Sequence, residues 1–203
     1  MDAEAERTNI PASLASGRIA GLSDTMFGVA MTLVVTTLLP SVHGLKGPIA
    51  GVLRGMTGEL TTVVLSFAVS AIYWISQQQR LAMSRSVTMA QARLHLVFLF
   101  LIVLVPISTS LPDLAGPGAK VAPVMLYGAH LTLIALVNLL LWWQVHRTTP
   151  AHLQVVRSSL ALALFVVALG VAALQPSWSI YLWFAVPATP LLARYLTRRF
   201  YSP

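Results

Sequence analysis

The chain is poor in charged residues and contains no cysteine. Only 9% of its 203 residues are Asp, Glu, Lys or Arg, while 57% are hydrophobic; an ordinary soluble domain carries about 25% charged residues. So little polar surface cannot cover a globule in water, which indicates an integral membrane protein. The absence of cysteine excludes disulfides and thiolate metal sites. Acidic residues number only six, so a carboxylate inside an apolar run is unusual here.

The motifs of common enzyme classes are also absent. There is no His-Glu-x-x-His, no Gly-x-Ser-x-Gly and no phosphate-binding loop. The five histidines show no metal-ligand spacing, and each is expected at a membrane boundary or in a loop: His43, His95, His130, His146 and His152. We therefore predict neither enzymatic activity, nor a cofactor, nor a resident metal. The net charge of +7 is scattered between apolar runs, which favours flanks that set topology over binding of nucleic acid.

Six apolar stretches are long enough to cross a bilayer, which takes about 20 residues. Glycines and prolines separate several of them. The predicted spans are residues 19–39, 60–78, 94–111, 121–143, 158–174 and 178–196. Pro106 is expected to break the third span, and Pro187 and Pro190 the sixth. The fold class predicted is an all-α membrane protein in which residues 1–203 form one six-helix domain.

Basic residues divide unequally between the two sides that these spans define. Ten lie at the amino terminus, in the second and fourth connections or in the carboxyl tail, whereas Lys46, Arg54 and Lys120 lie on the other side. The positive-inside rule therefore predicts that both termini are cytoplasmic.

The first span begins with two charged residues, Arg18 and Asp24. A carboxylate within hydrocarbon costs about 2.5–3.5 kcal/mol on insertion scales, and such residues mark a pathway or a buried network. The two residues are six positions apart and point to different sides of a helix, so they do not pair simply. Asp24 is expected to take donors from another helix or subunit, and the candidates are Trp74, Gln77 and Gln78. Asn138, in the fourth span, is a further buried polar group that needs a partner.

Two interpretations of the first span remain open. Ser23 and Asp24 either hold helices together or contact a permeating ion directly. Further along, Val29, Leu33 and Thr36 recur at helical spacing with Thr32 beside them. This stripe of aliphatic and hydroxyl side chains is compatible with a narrow pore and with ordinary helix packing.

The pattern Arg18-x-x-x-Leu22-Ser23-Asp24 resembles the Arg-x-x-x-Phe-Ser-Asp signature of the transmembrane protein 175 family of potassium channels, including its single-repeat bacterial members. The resemblance continues in order along the next three spans. The matching segments are Ser66-Phe67, Tyr73-Trp74, Leu99-Phe100, Pro106-Ile107-Ser108-Thr109-Ser110-Leu111, Leu126-Tyr127-Gly128-Ala129 and Leu141-Trp142.

The resemblance implies a homotetramer of six-helix subunits whose first helices surround a potassium-permeable pore in the cell membrane, here a bacterial plasma membrane. It places an apolar constriction at Val29, with Leu33 and Thr36 further outward and Thr32 as a neighbouring hydroxyl. The chain has no Thr-Val-Gly-Tyr-Gly filter, so a modest preference for potassium over sodium is expected.

The resemblance also implies a structural hydrogen-bond network around the signature. The signature motif and this network together comprise Arg18, Leu22, Ser23, Asp24, Trp74 and Gln78, with Leu22 as an apolar position of the motif. Gln77 and Gln78 stand where relatives often carry histidine, so this network is expected to use neutral amides rather than an imidazole. The alternative function is a small proton-coupled transporter in which Asp24 titrates.

Overall fold

The computed structural model describes residues 12–37, 51, 56–84, 87–114, 121–183 and 185–201. Within these ranges every regular element is helical. The α-helices are α1 (Ala12–Thr36), α2 (Thr57–Met83), α3 (Met89–Val103), α4 (Val105–Leu114), α5 (Val121–His146), α6 (His152–Leu174), α7 (Pro176–Trp183) and α8 (Thr189–Tyr201). A 3₁₀-helix, Val186–Ala188, lies between α7 and α8. The predicted all-α fold is confirmed.

Four of these helices, α1, α2, α5 and α6, are long and apolar enough to cross a membrane. Helices α3 and α4 together qualify as a fifth span, bent by 41°. The described residues thus support four to five spans, and the predicted number of six remains a prediction. The connection between the first two spans falls largely in residues 38–50 and 52–55, outside the described residues.

The bend between α3 and α4 lies at Leu104, two residues before Pro106. Proline has no N–H to continue the helical ladder, so a break at this position is expected. The hydroxyls of Ser108 and Thr109 both donate to the Val105 carbonyl, at 3.0 and 2.7 Å. These two hydroxyls therefore supply hydrogen-bond donors to a backbone carbonyl close to the bend. The predicted break of the third span is confirmed.

The predicted sixth span, residues 178–196, is not a continuous helix. Helix α7 ends at Trp183, and the chain then forms the short 3₁₀-helix before α8 begins at Thr189. Pro187 and Pro190 each lack the N–H that an uninterrupted α-helix would use here. The break was predicted, but it leaves neither piece long enough to count as a span by itself.

The core joins two groups of helices, the first formed by α1, α2, α3 and α4 and the second by α5, α6, α7 and α8. In the first group, the centroid of the Phe98 ring lies 6.1 Å from that of Phe27 and 6.0 Å from that of Tyr73. In the second group, the ring of Trp183 meets Tyr127 edge-on at 4.9 Å. Gly128 lies at this contact, and a Cβ there would come within 3.2 Å of Leu169 Cδ1, so a larger residue would require that side chain to shift. The packing of Phe98 against Phe27 and Tyr73 holds α1 beside α2 and α3, and α1 also contacts α4. These contacts position the site described next.

Candidate pore-lining helix and its polar network

Helix α1 has one buried face. Ser23, Phe27, Ala30 and Val34 are each at most 1% exposed, and they recur every three or four residues. At 3.6 residues per turn they lie on one side of the helix, towards α2, α3 and α4. The rest of the helix is left for contacts outside the subunit.

The predicted stripe lies on the opposite side of α1. Val29 is 47% exposed and Leu33 42% exposed, and Thr32 and Thr36 are exposed as well. At about 100° per residue, these four positions fall within an arc of roughly 100°. Packing inside the subunit core therefore does not account for them.

The two threonine hydroxyls of the stripe are oriented by the helix backbone. Thr32 Oγ1 lies 2.9 Å from both the Gly28 and Val29 carbonyl oxygens. Thr36 Oγ1 donates to the Leu33 carbonyl at 2.7 Å. Because each hydroxyl hydrogen is used on the backbone, the oxygen lone pairs remain as acceptors. Such oxygens suit a cation rather than an anion.

Asp24 is held by two donors from α2. Trp74 Nε1 donates to Asp24 Oδ1 at 2.8 Å, and Gln78 Nε2 donates to the same oxygen at 2.5 Å. Trp74 and Gln78 are four residues apart and so share a face of α2. The structure thus brings together three of the predicted signature residues and ties α1 to α2 through a charge-assisted pair of bonds. Arg18 and Leu22 lie on the exposed part of α1.

Ser23, the neighbour of Asp24, belongs to a separate buried cluster. Its Oγ accepts a hydrogen bond from Gln77 Nε2 at 2.7 Å and lies 2.9 Å from His95 Nε2. It also lies 2.6 Å from the Ile19 carbonyl oxygen, to which it donates. Gln77 was also predicted as a candidate donor to Asp24. Its side chain is rotated by about 100° about the α2 axis from that of Gln78, and it donates to Ser23 instead.

The hydrogen bonds around Gln77 determine the tautomer of His95. Arg80 donates to Gln77 Oε1 at 2.8 Å, so the other end of that amide must be its NH₂ group. That group lies 2.8 Å from His95 Nε2, which must therefore accept. His95 is accordingly neutral, with its hydrogen on Nδ1. A proton added at Nε2 would bring two N–H donors face to face.

The cluster extends through Arg80 into the second group of helices. Arg80 Nη1 donates to Asn138 Oδ1 at 2.9 Å, and Ser76 Oγ donates to the same oxygen at 3.2 Å. Asn138 Nδ2 donates to Ser158 Oγ at 3.2 Å, and Trp142 Nε1 donates to Ser76 at 2.8 Å. One polar network therefore joins α1, α2, α3, α5 and α6, and it supplies the partner that Asn138 was expected to need.

Two expectations about histidines are wrong. His95 is 4% exposed within α3, where it joins the Ser23 cluster, and it is not in a loop. The amide expected beside Asp24 in place of an imidazole is Gln78. His130 is half-buried within α5, 2.7 Å from Ser108 Oγ and 3.0 Å from the Leu101 carbonyl oxygen.

A helical signal was available for His95, since Phe98 and Ile102 follow it at i+3 and i+7 and are fully buried. Arg80, counted among the flanking charges, is also buried.

The segment that holds the stripe and the Asp24 pair is similar to a known family. The model of the family described as Endosomal/lysosomal potassium channel TMEM175 matches residues 18–106. The resemblance predicted from the Arg18-to-Asp24 motif is thereby confirmed. The matched segment begins at Arg18 and includes all of α2 and α3.

A curated relative and a solved structure agree with the TMEM175 match. A protein named as a potassium channel from Streptomyces collinus is 28% identical over 136 residues, which is 66% of each chain and so just under two thirds of the relative's length. The crystal structure of a lysosomal potassium-selective channel TMEM175 homolog from Chamaesiphon minutus superposes with a TM-score of 0.68. That match covers 91% of this chain and 97% of the other at 22% identity, and it shows a shared fold. The chain is a multi-pass membrane protein.

Proposed function

We propose that the chain is one subunit of a passive potassium-permeable channel whose pore is lined by α1. The observation that carries the proposal is the exposed stripe of Val29, Thr32, Leu33 and Thr36 opposite the buried face of α1. A membrane helix with no further task would expose aliphatic side chains to lipid, whereas this stripe alternates them with oriented hydroxyl oxygens. The TMEM175 match over residues 18–106, and the naming of both relatives as potassium channels, support this proposal.

The proposed constriction is Val29, with Leu33 one turn further along. Several copies of these aliphatic side chains at one level would close the pore to water and ions by dewetting. Thr32 and Thr36 would offer oxygen ligands to a dehydrating cation on either side of them. Selectivity would come from pore radius and these hydroxyls, so potassium is preferred only modestly over sodium.

The proposed assembly is a homotetramer of six-span subunits with both termini cytoplasmic, each subunit a single domain in the plasma membrane of a bacterium. Within the described residues α1 buries one side in the core and exposes the stripe, so a pore lined by the stripe would lie between subunits. A second exposed side of α1 carries Gly17, Gly21 and Gly28, and a Cβ at any of these meets nothing within 4 Å in the subunit. Small residues of this kind allow helices of adjacent subunits to approach closely.

In this proposal the Asp24 pair is structural. Its bonds to Trp74 and Gln78 fix the entrance of α1 against α2, about one turn or more before Val29. A carrier would instead need Asp24 to bind and release a proton during transport.

The proposal is tested by potassium efflux from vesicles that contain the purified protein. Replacing Val29 with threonine adds a hydroxyl at nearly constant volume and is expected to raise the efflux severalfold, because a polar ring no longer dewets. The matched control is Val166→Thr on α6, where the side chain is similarly exposed at 53%. Equal rates in both variants would remove Val29 from the pore.

Asp24→Asn separates the channel from the alternative transporter. The channel proposal expects potassium efflux to persist wherever the oligomer remains assembled, with any loss of efflux matched by a loss of oligomer. Efflux abolished in an intact oligomer, or coupled to a proton gradient in the parent protein, would favour the transporter.

A further inference from the structure

Arg80 is a buried cation without a carboxylate partner among the residues that the structure describes. Its side chain is 3% exposed. Its guanidinium donates to two neutral oxygens, Gln77 Oε1 and Asn138 Oδ1, and its carbon lies 5.3 Å from the centre of the Phe98 ring. Neutral dipoles and an aromatic face stabilise a buried charge only in part. An anion in contact with the remaining Arg80 N–H groups would therefore stabilise this charge further.

A small cavity lies directly beside Arg80. Its polar lining consists of Arg80, Ser84, Gln91 and His95, and the remaining lining residues are aliphatic. Ser84 Oγ donates its hydrogen to the Arg80 carbonyl at 2.9 Å. The cavity lies where the end of α2 faces the first turns of α3.

Three of the four polar side chains around this cavity offer donors, whereas the Ser84 hydroxyl, whose hydrogen is used on the Arg80 carbonyl, offers only acceptor lone pairs. Arginine has five N–H groups and no acceptor, and the bonds to Gln77 and Asn138 use two of them. His95 has its hydrogen on Nδ1, because Nε2 must accept from Gln77. Gln91 Oε1 accepts from the Thr88 backbone N–H at 2.9 Å, which leaves the Gln91 NH₂ group as a donor. Three donor groups, one of them cationic, match an anion.

We propose that this cavity binds a small inorganic anion of the size of chloride, which neutralises Arg80 and bridges α2 to α3. The small size and the aliphatic remainder of the lining favour a monatomic anion over a phosphate ester. The site is separate from the α1 stripe, and its binding does not depend on ion conduction.

Thermal unfolding of the purified protein in detergent tests the site without measuring transport. Potassium and ionic strength are kept constant while gluconate, an organic anion much bulkier than chloride, is replaced by chloride. A ligand bound only by the folded state stabilises it by mass action, so Tm should rise by roughly 3–8 °C and reach a plateau. Equal Tm in the two salts would overturn the proposal, and a carboxylate from elsewhere in the chain would then be the counter-ion.

Two variants locate the effect. Arg80→Met should lose the chloride response, but it also leaves Gln77 Oε1 without a donor and Asn138 Oδ1 with the Ser76 hydroxyl alone. Gln91→Glu avoids that difficulty, because glutamate preserves the acceptor of the Thr88 cap and places a carboxylate beside the cavity. Gln91→Glu should raise Tm in gluconate and abolish the response to chloride. The control is Arg93→Gln on the exposed side of α3, which should respond as the parent does. A full chloride response in Gln91→Glu, or its loss in Arg93→Gln, would contradict the site.

Discussion

At the scale of single residues, Gln77 determines the arrangement of the buried cluster. It is fully buried, and its amide joins three helices through bonds to Ser23, His95 and Arg80. The Gln77 amide can do this because it has a donor end, Nε2, and an acceptor end, Oε1. The bond from Arg80 identifies Oε1 as the acceptor. The orientation of the Gln77 amide therefore determines which nitrogen of His95 carries the hydrogen.

Gln77→Leu is expected to destabilise the subunit by roughly 2–4 kcal/mol, since several buried polar groups lose their partner and cannot reach water. The measurement is the Tm or the denaturant midpoint of the purified protein. Gln79→Leu is the matched control, because Gln79 is exposed two residues later on α2. Similar losses of stability in the two variants would contradict the role assigned to Gln77.

The sequence allowed the partners of Asp24 to be predicted better than those of Ser23. Trp74 and Gln78 were identifiable because both are donors on one face of the second span, close in depth to Asp24. His95 could not be identified by the same reasoning, since no motif places the third span beside the first. Its burial comes from the contacts of α3 with α1 and from the packing of Phe98, and both depend on tertiary structure.

At the scale of helices, α1 is distinguished by having separate faces. One face is buried, the stripe faces away from it, and the side bearing Gly28 is open. Hydrophobic periodicity cannot assign these faces in a membrane protein, because the lipid-facing and the packed sides are both apolar. The threonines and glycines are what distinguish them in the sequence.

Gly28→Leu should disrupt the oligomer while the isolated subunit remains folded, because the new side chain occupies space that only an adjacent copy can need. Native mass spectrometry or light scattering in detergent measures the assembly. Gly170→Leu on α6 is the matched control, since a Cβ there also meets nothing within 4 Å. If Gly28→Leu assembled as the parent does, the open face of α1 would not be a subunit contact.

At the scale of the whole molecule, the spans obey simple rules of length and apolarity, and the exceptions occur at prolines. Pro106 bends one predicted span, and Pro187 and Pro190 divide another. The network from Ser23 to Ser158 then joins the two groups of helices in one subunit. Among the described residues Ser23 is the member of this network that lies on α1, and it is buried, so the channel proposal assigns ion selectivity to the exposed stripe instead.

That division of roles predicts which residues alter selectivity. Thr32→Val removes a hydroxyl oxygen from the stripe without changing the shape of the side chain, and it should lower the potassium-to-sodium permeability ratio towards one, because a dehydrating potassium ion loses a ligand. Reversal potentials under bi-ionic conditions in reconstituted bilayers measure the ratio. Thr61→Val is the matched control: Thr61 is equally exposed on α2 and donates to its own backbone at 2.7 Å, as the stripe threonines do. If the parent current were almost exclusive to potassium, or if Thr32→Val left the ratio unchanged, the stripe hydroxyls would not set selectivity.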